Sequence, residues 1–170
     1  ELDLSGNADF YGSDGPGFAQ ALAIGVRVNR ALVSANLLNN KIGVKQAQNL
    51  ATVLKEHATL KSLCGNKGDE TVLDMDGKKM GADGAIMLAP EIVANRALVK
   101  VNISASGIAS KEAGKALAEV LKTNTVLNEL DVSDNMRKNG HGRVAGGDGP
   151  GFAKELAAGV SANRALTSLN

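Results

Sequence analysis

The hydrophobic positions of this chain follow two periodicities that alternate along its length. Short runs such as "LDLSGN" (2–7) and "LNELDVSDN" (127–135) carry apolar side chains at every second position, which is typical of a strand with one buried face. Between these runs the apolar spacing lengthens to about 3.6 residues, the repeat of an amphipathic helix. In "EAGKALAEVLK" (112–122) the apolar face consists of Ala116, Leu117, Val120 and Leu121. The pattern predicts strands and helices in regular alternation.

Six of the short runs fit one template, L-x-x-L-x-L-x-x-N. Its central strand position is taken by Leu2, Ala35, Leu73, Val101, Leu130 and Leu169. These residues are separated by 33, 38, 28, 29 and 39 positions. The two short gaps define a unit of 28 to 29 residues. The three longer gaps are interpreted as the same unit with insertions around 8–13, 65–71 and 136–146.

Helices are predicted in the five intervals between these strands, at 17–28, 44–57, 85–95, 112–122 and 151–163. The first and last belong to a longer duplication, because "SDGPGFAQALAIGVRVNRAL" from residue 13 returns as "GDGPGFAKELAAGVSANRAL" 134 positions later. Asp14 and Asp148 are expected to cap the two helix starts. Pro16 and Pro150 have a fixed φ that suits a first helical turn. The duplicated "DGPGF" therefore reads as a helix start.

The template and the unit length resemble the leucine-rich repeat, in particular its ribonuclease-inhibitor-like subclass. The closest segment is "IASKEAGKALAEVLKTNTVLNELDVSDN". The resemblance implies an α/β fold, a curved right-handed solenoid with a parallel sheet on its concave face and helices on its convex face. It covers residues 1–170 as a single domain of about six irregular repeats. We expect the domain to be a fragment of a longer repeat array.

One segment, "LKSLCGNKGDETVLDMDG" (61–78), offers two strand starts ten residues apart, Leu63 and Leu73. The strand is assigned to Leu73 and Met75. Residues 64–71 are then predicted to form an exposed loop that tolerates deletion, because "GNKGDET" holds glycines and charges but no apolar residue. Cys64 is expected to be a buried small hydrophobe.

Composition narrows the classes of partner. The formal net charge is +1 with scattered lysines and arginines, so nucleic-acid binding is not expected. No apolar run reaches the roughly 18 residues of a membrane span, so direct membrane insertion is not expected. A single cysteine rules out an intramolecular disulfide and favours a reducing, intracellular and cytoplasmic setting.

No cofactor or metal motif survives inspection, and no catalytic residue is predicted. "DMDGKKMGADGA" begins like a calcium loop, but Lys78 and Ala85 stand where a ligand and the bidentate glutamate belong. The glycines of 147–151 precede a helix but lack the last glycine of a dinucleotide fingerprint. His57 and His141 have no clustered ligands for zinc and are expected to be exposed.

The remaining candidate site is the exposed face of the predicted sheet. Side chains alternate along a strand, so the neighbours of each buried leucine point away from the core. The predicted partner-binding residues are Glu1, Asp3, Asn36, Asp74, Asp76, Lys100, Asn102, Glu129 and Asp131. Leu38 and Val72 are expected on the same face. Two interpretations of these polar residues stay open. They are either solvated hydrogen-bonding residues typical of the family, or they form an acidic groove for a basic partner segment.

The resemblance implies a non-enzymatic module of a eukaryotic protein, which binds another protein through its concave face or rim. Fold alone does not fix function, so two alternatives remain. One is a structural subunit of a larger assembly, and the other is a regulator of an enzyme such as a GTPase. Leu2, Leu4 and Leu169 are expected to be partly bare at the two ends, where further repeats or another subunit would cover them.

Overall fold

The computed structural model describes residues 1–7, 14–136 and 148–170, and in this part of the chain strands and helices alternate. The strands are β1 (Leu2–Asp3), β2 (Ala35–Asn36), β3 (Val72–Asp74), β4 (Lys100–Asn102), β5 (Glu129–Asp131) and β6 (Ser168–Leu169). The helices are α1 (Gly15–Val28), α2 (Val44–Glu56), α3 (Gly81–Ala94), α4 (Lys111–Thr123) and α5 (Gly149–Ala162). The central residue of each predicted strand and the five predicted helices are therefore confirmed, although Met75 lies just after β3 and α3 begins four residues before its predicted start. The insertions predicted at 8–13 and 136–146 lie outside the described residues apart from residue 136, and so does His141.

All strand pairs are parallel, and they form two sheets. β1 pairs with β2, while β3, β4, β5 and β6 follow one another in a second sheet. Leu73, Val101 and Leu130 stand in register at the centre of the second sheet and are all buried. Each helix packs against the next along the chain. The result is a mixed α/β fold with parallel strands, built from strand and helix units in sequence order.

The duplicated helix starts are capped as predicted. Asp14 Oδ1 accepts a hydrogen bond of 2.8 Å from the Gly17 backbone N–H, and Asp148 Oδ1 accepts one of 2.9 Å from Gly151. Both helices have proline in the first turn. The capping aspartate satisfies an N–H group that has no partner inside the helix.

Helix ends use a second shared device. The residues that follow the helices at the C-cap are Asn29, His57, Asn95, Asn124 and Asn163. The asparagine side chains accept from backbone N–H groups of the turn into the next strand, for example at 2.6 Å from Leu166 to Asn163. His57 takes over this role, because its Nδ1 accepts at 2.9 Å from Leu60 N–H. The expectation of a solvent-exposed His57 was wrong, since the ring also contacts the Val26 carbonyl oxygen at 3.0 Å.

The segment after α2 corrects the loop assignment. Ser62 forms a parallel bridge with Ser34, and the Leu63 carbonyl accepts from Leu37 N–H at 2.9 Å. The first candidate strand start therefore pairs with β2, while the second forms β3. Cys64 is buried as expected, and its burial raises the pKa of the thiol. Asn66 is also buried, so the prediction of an exposed loop was wrong for residues 64–66.

The two duplicated helices differ in what covers them. Phe152 in α5 is buried over Gly114 of α4, and Gly159 approaches the Ala118 backbone so closely that an added Cβ would lie 2.5 Å from its Cα. The residues 134 positions earlier are Phe18, which is 37% exposed, and Gly25, around which a Cβ would meet nothing within 4 Å. Similar sequences thus stand in different surroundings, because α4 contacts α5 at Phe152 and Gly159, whereas α2, the described helix that packs against α1, leaves Phe18 and Gly25 uncovered.

Candidate functional site: the exposed face of the sheet

The predicted polar face exists on the sheet of β3 to β6. Register places Asp74, Asn102 and Asp131 opposite one another, and we name these three residues the polar row. Two residues earlier in the strands, Val72, Lys100 and Glu129 form a second line. The leucine or valine between the two lines is buried in each strand. Strand alternation therefore presents both lines on one surface.

Hydrogen bonds connect these side chains across the strands. Asn102 Nδ2 donates to Asp74 Oδ1 at 3.0 Å, and Ser104 Oγ donates to Asp76 Oδ1 at 2.8 Å. The Lys100 ammonium lies 2.9 Å from a Glu129 carboxylate oxygen. Because both members of that pair are half exposed, the pair adds little to stability. It does neutralise the one lysine of this surface, which leaves the aspartates to set its charge.

Asp or Asn at the end of a strand also has a local role that the sequence reading did not identify. In five strands its side chain accepts from the backbone N–H two residues later. The acceptors are Asp3, Asn36, Asp74, Asn102 and Asp131. This is an Asx turn, in which the side chain replaces a backbone acceptor as the chain leaves the sheet. The residue type at these positions therefore has a structural cause.

The local field is negative. The hydrogen bond with Glu129 and its charge raise the pKa of Lys100, and the charges of Asp131 and Asp74 raise it further. Hydrogen bonds from the side chain and backbone of Ser133 lower the pKa of Asp131. A carboxylate that is held ionised by fixed donors keeps its charge as the solution is acidified. The surface is thus suited to cationic groups.

The structure separates the predicted site residues into two groups. It brings together Asp74, Asp76, Lys100, Asn102, Glu129 and Asp131. Asp3 and Asn36 face each other in the other sheet, and Glu1 precedes β1. Val72 is 52% exposed as expected, but Leu38 is buried, so its predicted place on the polar face was wrong. Leu38 is turned toward α3, where its side chain lies beside Gly84.

A buried polar cluster around Glu91 was missed. Glu91 Oε1 accepts from the backbone N–H groups of Leu63 and Cys64 at 2.7 and 3.1 Å. Its Oε2 accepts from Ser62 Oγ and Asn66 Nδ2 at 2.8 and 2.7 Å. Burial raises the pKa of Glu91, although hydrogen bonds from the Leu63 backbone and from the side chains of Asn66, Ser62 and Cys64 oppose the shift. A signal was present, because Glu91 is the one charged residue in "AIMLAPEIVAN" and takes the place of Val53 and Val120 in α2 and α4.

Neither a metal-binding group of side chains nor a membrane-spanning helix is found among the described residues. No group of three or more His, Cys, Asp or Glu residues there could hold a metal ion. No helix of that part of the chain is long and apolar enough to cross a membrane.

Comparisons with known proteins give no family. No protein-family model matches the chain, and no curated protein matches it. A solved structure described as leiomodin-1 actin-binding site 2 is similar with a TM-score of 0.43 and 16% sequence identity. The alignment covers 94% of this chain and 81% of that chain. A likeness this distant carries no argument about function.

Proposed function

We propose that this chain is a non-enzymatic protein-binding module that receives a basic, extended segment of a partner across the polar row. We further propose that its strand and helix units are ribonuclease-inhibitor-like leucine-rich repeats in a curved solenoid. The repeat template and the 28 to 29 residue unit support the architecture. The arrangement of charges on the exposed sheet face supports the mode of binding.

The observation that carries the binding proposal is the fixed placement of carboxylates. Asp74 and Asp131 both use Oδ1 to accept a backbone hydrogen bond at the end of their strands, which fixes the orientation of each carboxylate. Their positions are set before a partner arrives, which lowers the entropy cost of binding. Lys100 is already engaged by Glu129. Arginine or lysine side chains of a partner would therefore meet oriented acceptors and little repulsion.

The experiment uses the double variant Asp74→Asn and Asp131→Asn. Asn36 and Asn102 make the same strand-end hydrogen bond, so asparagine keeps the turn while removing the charge. The probe is a fluorescent ten-residue Lys/Arg/Gly/Ser peptide, and a peptide with Glu in place of Lys and Arg is the control. We expect the basic peptide to bind wild type and to bind the double variant about tenfold more weakly, with the loss reproduced by added salt.

Equal affinity for wild type and double variant would reject the polar row as the binding surface. The Asx turn would then be the whole explanation of these residues. The thermal melting temperatures of the two proteins provide the control for folding, and we expect them to agree because the exposed charges contribute little to stability.

A second function, as a subunit of a larger assembly, is favoured by a different observation. α1 exposes Phe18, Ile24 and Val28 at 37%, 68% and 74%. Ile24 and Val28 are four residues apart and therefore share one face of the helix, and contiguous apolar surface marks contact sites. Light scattering across protein concentrations tests this alternative. Association that disappears in the variant Ile24→Lys, Val28→Lys would support assembly through α1, and a constant monomer mass would oppose it.

A further inference from the structure

The outward face of α3 is apolar where its neighbours are polar. Helices can be aligned by their C-cap residues, and three outward positions lie nine, five and two residues before the cap. In α3 these positions hold Ile86, Pro90 and Val93. In α2 they hold Gln48, Thr52 and Lys55, and in α4 they hold Lys115, Glu119 and Lys122. The stretch Gly84–Ile92 is buried without interruption. A helix that is apolar all round requires cover on every side.

That cover is incomplete on the outward side. A groove of about 970 Å³ runs over α3, with α2 and α4 as its walls. Ile86, Ala89, Pro90 and Val93 line it. Their spacing of i, i+3, i+4 and i+7 makes a stripe about two turns long. Ile86, Ala89 and Pro90 are buried although they line the groove, so α3 lies recessed between its neighbours, and Val93 is 47% exposed.

The charges at the rim favour one sign of partner. The charged side chains among the described lining residues are Lys55, Lys61, Lys111, Lys115, Glu112 and Glu119. Glu119 is already engaged at 2.7 Å by Lys122, which is outside the groove lining. That hydrogen bond and charge lower the pKa of Glu119. Lys111 in turn lies 4.0 Å from Glu155, which is also outside the groove lining. Among the described lining residues, Lys55, Lys61 and Lys115 then remain against Glu112 alone, so the rim is cationic.

From this geometry we infer that the groove binds an amphipathic, acidic helix of a partner protein. A helix of about 12 residues is about 18 Å long and matches a trough walled by two helices. Its apolar side chains at i, i+3, i+4 and i+7 would cover the α3 stripe, as in other helix-in-groove complexes. Its flanking carboxylates would lie near the rim lysines. The surface is distinct from the polar row, so one chain would hold two partners of opposite charge.

A symmetric pairing of two copies of this chain does not fit the groove. A symmetric dimer would place two recessed faces against each other and leave a void, whereas buried interfaces are packed like protein interiors. It would also bring two cationic rims together, which is unfavourable. The occupant must be convex and acidic, and an amphipathic helix with glutamates beside its apolar stripe has both properties.

The test uses two labelled peptides of about 14 residues with one apolar stripe, flanked by Glu in the first and by Lys in the second, both with helix-favouring Ala elsewhere. Binding is measured by fluorescence anisotropy and mapped by amide chemical shifts. We expect the Glu peptide to bind at least about tenfold more tightly than the Lys peptide. The shifts are expected along the helices α2, α3 and α4. Equal affinities, absence of binding at millimolar peptide, or shifts elsewhere would overturn the inference.

The apolar stripe of α3, which is the floor of the groove, is tested with the double variant Pro90→Thr, Val93→Lys. This variant carries the residues that α2 has at the same positions. The rim is tested separately with Lys55→Glu, Lys115→Glu, whose exposed side chains can change without disturbing the core. Each variant is expected to weaken the Glu peptide about tenfold or more. The Asp74→Asn, Asp131→Asn variant is expected to leave its binding unchanged. An unaltered affinity in both the floor and the rim variants would overturn the inference.

Discussion

The carboxylate of Glu91 accepts a hydrogen bond of 2.7 Å from the backbone N–H of Leu63, 28 residues earlier in the chain. In a continuous sheet a carbonyl of the next strand would accept from such an N–H group. Here a side chain of α3 replaces that strand for Leu63 and Cys64. Glu91 therefore ends the first sheet and ties it to α3.

Replacing Glu91 by alanine should strongly destabilise the protein. The Leu63 backbone N–H and the Asn66 amide would lose their acceptor in a buried place, and the Cys64 N–H would keep only Ser62 Oγ. Each unsatisfied buried group costs about 1 to 3 kcal/mol. Glu91→Gln should cost much less, because its amide oxygen can still accept from Leu63 and Cys64, and Asn66 can rotate its amide. Urea unfolding of the two variants measures this. Equal destabilisation by Ala and Gln would mean that the charge itself is required.

The Glu91 carboxyl should make stability fall as pH rises. Because burial raises the pKa of Glu91 in the folded state, the folded protein holds a proton at pH values where the unfolded chain has lost it. Stability from this group is therefore fully present below the ordinary pKa of a glutamate and is lost as pH rises through the raised pKa. Glu91→Gln removes this dependence. Unfolding free energies of wild type and Glu91→Gln from about pH 4 to pH 8 should diverge in the variant's favour.

The carboxyls with lowered pKa act in the opposite direction. The backbone hydrogen bond from Ser5 lowers the pKa of Asp3, and hydrogen bonds from Ser133 lower that of Asp131. Their stabilisation is lost as pH falls. Wild type and Glu91→Gln both contain Asp3 and Asp131, so the difference between their unfolding free energies reports on Glu91 alone. A difference that stays constant over the pH range would contradict a raised pKa.

Replacing Leu117 by alanine should cost about 2 to 5 kcal/mol, because the side chain is buried in α4 and its removal leaves a cavity. Thermal and urea unfolding provide the measurement. Replacing the exposed Lys122 by alanine, in the same helix, is the control and should change stability by less than about 0.5 kcal/mol. Similar effects of both substitutions would place Leu117 outside the core.

The duplicated helices should respond oppositely to the same substitution. Gly159→Ala would place a Cβ 2.5 Å from the Ala118 Cα, which is backbone and cannot swing away. We expect a loss of about 1 to 3 kcal/mol. Gly25→Ala meets nothing within 4 Å and should gain about 0.5 to 1 kcal/mol, because alanine restricts the unfolded chain and favours helix. Two losses would indicate that α1 is covered as α5 is.

Sequence alone located the central residue of each of the six strands and the five helices, but it placed the start of α3 at residue 85 instead of Gly81 and missed the bridge at Ser62. The central strand residues and the helix caps follow from local spacing and local hydrogen bonds, which adjacent residues encode. The pairing of Ser62 with Ser34 and the burial of Leu38 depend on Glu91 and Gly84 in α3. These contacts join residues far apart in the chain. The polar composition of "GNKGDET" therefore predicted exposure, although the Glu91 carboxylate accepts a hydrogen bond from Asn66 and allows it to be buried. The sheet-face residues were found by alternation, but their shared Asx turns were visible only in the backbone geometry.

The break between the two sheets affects how unfolding spreads through the molecule. In the described residues no backbone ladder joins the Ser62–Cys64 segment to β3, so the hydrogen-bonded sheet is interrupted there. The two parts are joined instead by packing between helices and by the Glu91 cluster. In a linear array, cooperativity is carried by the interfaces between neighbours, and the weakest interface sets where the array divides. We expect the missing ladder to make this the weakest interface, so that residues before and after the break act as two folding blocks. The amide protons of Ala35 and Leu37 would exchange with solvent through openings that leave those of Val101 and Ile103 protected.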